Sequence, residues 1–176
     1  MPPYERQFGL NVAKALNQEK FEVQVINAQI LSTLITFLSK HTPRSFLELN
    51  NENALVGYCV RTYFPNTLLD CVTPYSIDFA QIYNNIYVGD ILEYSLKTKY
   101  DVIFHHNWEY DRDQGTKVLD KLRARTRHSV IIMSYLEWYG RGVSLWTPED
   151  FKLKGANIHL CYSESRDRSF LAVFPT

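Results

Sequence analysis

Short apolar runs that alternate with segments of helical spacing constrain this chain more than any other feature. The runs are Ser45–Leu49, Thr67–Val72, Ile86–Val88, Tyr100–His105 and Ser129–Ser134. Ala54–Phe64 carries Leu55, Val56, Cys59, Val60 and Tyr63 at helical spacing and stops at Pro65. Pro74–Tyr83 opens with proline and carries Ile77, Ala80 and Ile82, which predicts another helix. Asp113–Ala124 places Val118, Leu119 and Leu122 on one face. Ahead of the first run, Ile26, Ile30, Leu31, Leu34, Ile35 and Leu38 form one helical stripe, ended by His41-Thr42-Pro43. A short helix is also expected around Asn11–Leu16. Strands that alternate with helices predict a parallel sheet covered on both faces.

The C-terminal part breaks this alternation. Thr147-Pro148-Glu149-Asp150 has a cap, a proline at the first position and acids in the first turn, so a short helix starts there. Asn157–Tyr162 and Ser169–Phe174 follow as two strands around a polar segment with Ser and Asp, which predicts a hairpin. The expected fold class is therefore α/β: a Rossmann-like, doubly wound, mostly parallel sheet of about seven strands, closed by an antiparallel C-terminal hairpin. One domain is expected over residues 1–176, with 1–25 as an N-terminal extension and 26–176 as the core.

Charge narrows the partners. Nineteen Lys and Arg against nineteen Asp and Glu give a net charge of zero, which disfavours nucleic acid and acidic lipid. The one basic run, Arg123 to His128, sits at a predicted helix end, where positive charge is favoured anyway. No apolar stretch approaches the ~20 residues of a membrane span, and the first residues show no leader pattern. Cys59, Cys71 and Cys161 are odd in number and form no CxxC pair. They read as reduced core thiols in a cytoplasmic-type compartment.

The element order and several local cues resemble the class I S-adenosylmethionine-dependent methyltransferase superfamily. Ser45–Leu49 is similar to its first strand, which ends in an acidic residue. Val88-Gly89-Asp90 resembles the segment after its third strand, and Tyr100-Asp101-Val102-Ile103-Phe104 its fourth. The resemblance implies S-adenosylmethionine as cofactor and Glu48, Asn50, Glu52, Thr73 and Asp90 as the residues around it. In the family the first strand runs into a turn with three glycines. Here Asn50, Glu52 and Ala54 fill those places, in a chain with only seven glycines in 176 residues. Asparagine tolerates left-handed backbone. Glu52 adds bulk and negative charge beside the cofactor's carboxylate. An acidic residue that would accept the ribose hydroxyls is replaced by Thr73, with Asp70 three residues earlier.

The segment His105-His106-Asn107-Trp108-Glu109-Tyr110-Asp111-Arg112-Asp113 follows the fourth strand. Sites in parallel sheets lie at strand carboxyl ends, so His105 or His106 is a candidate general base. The alternative is a polar loop with Asp111 or Asp113 capping the next helix. Adjacent histidines on a strand point to opposite faces, so no metal site is assigned. Trp108, Glu109, Tyr135, Glu137 and Trp138, joined by Trp146, are expected to line a substrate or partner surface. Two functions follow from the resemblance: methyl transfer to an unknown small molecule or macromolecule, or a catalytically inactive methyltransferase-like module that binds or scaffolds a partner. Oligomeric state is not legible. Replacing Glu52 by glycine is expected to tighten S-adenosylmethionine binding in calorimetric titration; an unchanged affinity would overturn the steric and charge argument.

Overall fold

Ser45–Leu49 forms the first strand, β1, with all five residues buried. Burial on both faces is what a central parallel strand requires. The computed structural model describes residues 24–51, 54–75, 80–136, 146–161 and 169–176, without the side chains of 24–28 and Ala80. Helix α1 (Gln24–His41) precedes β1. Helix α2 (Leu55–Tyr63), β2 (Leu68–Thr73), β3 (Asn85–Val88) and β4 (Tyr100–His105) follow. Helix α3 (Arg112–Ala124), β5 (Thr126–Tyr135), α4 (Pro148–Leu153), β6 (Asn157–Cys161) and β7 (Ser169–Pro175) complete the described elements.

The seven strands form one sheet in the order β3-β2-β1-β4-β5-β7-β6. β1 pairs in parallel with β2 on one side and β4 on the other. β7 lies between β5 and β6 and is antiparallel to both. The expected sheet and closing hairpin are thus present; the connection at 162–168 and the expected helix at Asn11–Leu16 lie outside the described residues.

Alternation along each strand sorts side chains to two cores. Phe46, Cys71, Val102, Phe104, Ile131 and Leu171 pack under α1 and α2, against Ile30, Leu34, Leu38 and Cys59. Leu47, Leu49, Ile103, Val130 and Phe170 face the other way, toward Val118, Leu119 and Leu122 of α3 and Phe151 of α4. Cys59, Cys71 and Cys161 are buried. Among the described residues no helix is long and apolar enough to cross a membrane.

Caps fix the helices at the carboxyl edge of the sheet. Asp111 accepts from Gln114 N at 2.8 Å, so the capping reading of this aspartate holds. Thr147 and Asp150 form a capping box, with proline at the first helical position of α4. Arg112 also reaches Asp150, and this ion pair ties the start of α3 to the start of α4.

A helix is expected over Pro74–Tyr83; residues 76–79 lie outside the described residues, and the described part of that stretch holds a single 3-10 turn at Ala80–Ile82. Tertiary hydrogen bonds anchor its end: Arg61 Nε donates to Ile82 O at 3.1 Å, and Asn84 N donates to Leu69 O at 2.7 Å.

Packing density gives a test. A Cβ at Gly115 of α3 would lie 2.8 Å from Trp146 Cζ2, whereas one at Gly89 meets nothing within 4 Å. Gly115→Ala is expected to destabilise the fold by about 1–3 kcal/mol, although alanine normally favours a helix. Gly89→Ala should stay within about 0.5 kcal/mol. Denaturant unfolding of both variants checks this.

Candidate functional site

β1 and β4 are neighbours whose following connections leave in different directions, and their carboxyl ends define the crevice of the sheet. Leu49 pairs with His105, and His106 N donates to Leu49 O at 3.1 Å. The turn after β1 and the loop after β4 are therefore stitched together. The turn keeps a glycine-like path without glycine: Asn50 and Ala54 both have φ of 56°. Such geometry costs a non-glycine residue roughly 1–2 kcal/mol. Asn51, wholly buried, holds the turn by accepting from Ala54 N at 2.9 Å through Oδ1, and its carbonyl accepts from Thr73 Oγ1 at 2.8 Å.

Glu48 is wholly buried at the end of β1. Its Oε2 accepts from Tyr83 Oη at 2.8 Å, and its Oε1 meets His106 Nε2 at 2.6 Å. Asn51 Nδ2 donates to Tyr83 Oη at 2.5 Å. The direction of these bonds is forced. Because Asn51 Oδ1 accepts a backbone N–H, its NH2 faces Tyr83, whose hydroxyl must then pass its own proton to Glu48. Both oxygens of an ionised Glu48 act as acceptors, so the histidine proton lies on Nε2. Gly57 makes the approach possible: a Cβ there would sit 2.4 Å from Tyr83 Oη and 2.8 Å from Glu48 Oε2. Burial first and the Glu48 charge second push Tyr83 far up and Cys59 to about 12. Cys71 is raised by the same causes.

The two histidines do point to opposite faces. His106 packs edge-on against Phe104, with ring centroids 4.7 Å apart, and its side chain is 12% exposed. Its Nδ1 has no hydrogen-bond partner among the described residues. His105 is fully buried beside Trp108 and Tyr110. Its Nδ1 lies 2.8 Å from His106 O, and a carbonyl only accepts, so Nδ1 carries the proton. Nε2 then accepts from Tyr110 Oη at 3.0 Å. Asn50 hydrogen-bonds the same phenol. Burial pushes His105 down to about 3. Of the two histidines expected as a base, His105 is thus the one whose ring is wholly buried with both nitrogens engaged.

The other expected residues fall as follows. Thr73 is wholly buried, and its hydroxyl also accepts from Tyr75 N at 3.2 Å, so it is committed within the protein. Asp70 is held inside β2 by Tyr100 Oη at 2.7 Å and Asn85 Nδ2 at 2.9 Å. Asp90 is exposed after β3, with Oδ1 accepting from Leu92 N. Trp108 is not a surface residue: it is 1% exposed in a ring cluster with Tyr110, Trp146 and Phe151, because its loop folds back under α3 and α4. Trp146 is 2% exposed, so it leaves the expected surface too. Glu109 is exposed and Tyr135 half-buried. Glu52, Glu137 and Trp138 lie outside the described residues. Among the described residues no three His, Cys, Asp or Glu side chains converge as metal ligands. Tyr83, Asn51, Gly57 and Tyr110 were given no role from sequence, and no local signal marks them, since Tyr83 stands 35 residues from its partner Glu48.

The buried His105 sets a pH dependence. Its folded value near 3 lies below the ordinary 6.5, so the unfolded chain takes up the proton first as pH falls. Its contribution is fully present above about pH 6.5 and is lost progressively toward pH 3, at up to about 1.4 kcal/mol per pH unit. Urea unfolding between pH 7.5 and 5.5 should show a steeper loss for the unmodified protein than for His105→Gln. Equal slopes would contradict the assignment.

No family model matches the chain, and no curated protein matches it. Solved structures do. The N-methyltransferase NodS from Bradyrhizobium japonicum WM9, in complex with S-adenosyl-l-homocysteine, superposes with a TM-score of 0.64 at 16% identity, covering 86% of this chain and 87% of that one. Magnesium protoporphyrin IX methyltransferase (ChlM) from Synechocystis PCC 6803 with bound SAM gives 0.63 at 12% identity, over 89% and 85%. A DhpI–SAH complex gives 0.63 at 12% identity, over 98% and 93%. Strand order, the reversed β7 and these superpositions lead to one statement: this chain has the fold of the class I S-adenosylmethionine-dependent methyltransferases.

Proposed function

We propose that the chain binds S-adenosylmethionine and transfers a methyl group to a small-molecule or macromolecular acceptor. The observation that carries this reading is the turn after β1. All three of its glycine positions hold other residues, yet Asn50 and Ala54 keep left-handed backbone. Retaining that strained path preserves the course along which the backbone approaches a cofactor. The ligands in the NodS and ChlM structures support the same choice.

The residues present fit the cofactor at one end. Asp90 is exposed at the carboxyl edge and spends one oxygen on Leu92 N, leaving the other for a polar nucleoside group. Bound S-adenosylmethionine supplies an electrophilic methyl on a sulfonium. The protein's share is orientation and proton removal. His106 Nδ1, on a partly exposed ring backed by Glu48, accepts the proton of an O–H or N–H acceptor. Glu109 and half-buried Tyr135 flank the same carboxyl edge as acceptor-side residues. Cys59 and Cys71, buried thiols that pair with no other cysteine, support a reducing, cytoplasmic-type location. A net charge of zero favours a small molecule or protein over nucleic acid as the acceptor.

A second reading, an inactive module that binds or scaffolds a partner, is favoured by Thr73 and Glu48. The Thr73 hydroxyl is committed to Asn51 and Tyr75, and both Glu48 oxygens are engaged. Calorimetric titration with S-adenosylmethionine and S-adenosylhomocysteine separates the two. Micromolar binding, weakened about tenfold by Asp90→Ala, is the expected outcome. Neither heat nor thermal shift at millimolar ligand would leave the inactive module.

A further inference from the structure

We propose that Glu48, locked by Tyr83 and Asn51, is the positioning residue of a Glu48–His106 dyad, so that the acid at the end of β1 orients a proton acceptor instead of meeting the cofactor. The inference rests on the methyl-transfer reading only for what His106 deprotonates; the dyad itself stands on geometry.

The chain of donors runs one way, from Asn51 Nδ2 to Tyr83 Oη to Glu48 Oε2, and from His106 Nε2 to Glu48 Oε1. A carboxylate that receives on both sides has no proton to return. It therefore pins the imidazole as the Nε2–H tautomer, with the Nδ1 lone pair directed away from Glu48. At 2.6 Å the contact has the length of a charge-assisted hydrogen bond. The groups around the dyad do not compete for the charge. Cys59 of α2, Cys71 of β2 and Tyr83 are pushed up and stay protonated, and His105 is pushed down and stays neutral. The carboxylate is wholly buried while the ring keeps 12% of its surface. That is the arrangement of a support behind a working group: the acid is withdrawn from solvent and the imidazole meets it.

When His106 Nδ1 takes a proton from the acceptor, the imidazolium forms beside the Glu48 carboxylate. The acceptor keeps the electron pair of its former bond to hydrogen; a bound S-adenosylmethionine would supply the methyl that this pair takes up, with the carbon–sulfur pair staying on sulfur. No proton needs to pass to Glu48.

The tautomer is directly observable. Nitrogen-15 correlation spectra of the unliganded protein at alkaline pH, with His106 assigned through His106→Gln, should show one tautomer, with Nε2 protonated and Nδ1 not. Glu48→Gln, whose amide donates as well as accepts, should remove that single-tautomer signature. Tyr83→Phe, which keeps the ring against Gly57, should leave the fold intact and admit the second tautomer. A protonated Nδ1 or an even mixture in the unmodified protein would overturn the dyad whether or not the variants fold. The dyad with no binding of S-adenosylmethionine in calorimetry would overturn the methyl-transfer reading alone. Binding together with the wrong tautomer would overturn the dyad alone.

Discussion

A carboxylate buried at the end of the central strand governs the rest of the site. Taking an unpaired charge out of water costs several kcal/mol, and Glu48 meets that demand with two short hydrogen bonds on opposite oxygens. Each bond places a constraint on the chain. Tyr83 must stand against α2, and α2 must present a glycine at 57 to let the phenol in. His106 must follow His105 on a loop that bends back to Leu49. The short 3-10 turn at Ala80–Ile82, held by Arg61, is the backbone side of the same requirement.

Two asparagines organise the turn after β1. Asn50 bonds to Tyr110 and so reaches His105; Asn51 bonds to Tyr83 and so reaches Glu48 and His106. One relay ends in a histidine that is neutral and closed, the other in a histidine whose Nδ1 meets no partner among the described residues. Of the two asparagines only Asn50 stands at a glycine position of the family turn, where glycine would offer no side chain. The backbone nevertheless keeps φ near +56° at positions 50 and 54, so the turn retains the path while gaining side-chain contacts. That combination supports both a surviving crevice and a changed use of its acid.

Much of the fold was legible because hydrophobic period and caps are local. Five apolar runs and two C-terminal alternating segments marked the seven strands, Thr147-Pro148 marked the start of α4, and of Asp111 and Asp113, both candidates to cap α3, Asp111 is the one that does. Of the helix expected over Pro74–Tyr83 the described residues show only a 3-10 turn at Ala80–Ile82, whose end is held by Arg61, a residue distant in sequence. The tryptophans were misread for a related reason. A ring in a loop after a strand looks exposed in sequence, but Trp108 and Trp146 close over one another beneath two helices.

The sequence by itself determined the layered architecture, the neutral surface and the two histidines at the carboxyl end of β4, since each follows from periodicity, counting or position on a strand. Only the tertiary structure decided which histidine is open. Their residue type is the same and their positions adjacent; what differs is the face of the sheet each ring meets. One ring enters an aromatic core with both nitrogens bonded, and the other leans on a carboxylate brought from 58 residues away. A charge and its partners become a site when the fold removes water from between them, and that step has no signature along the chain.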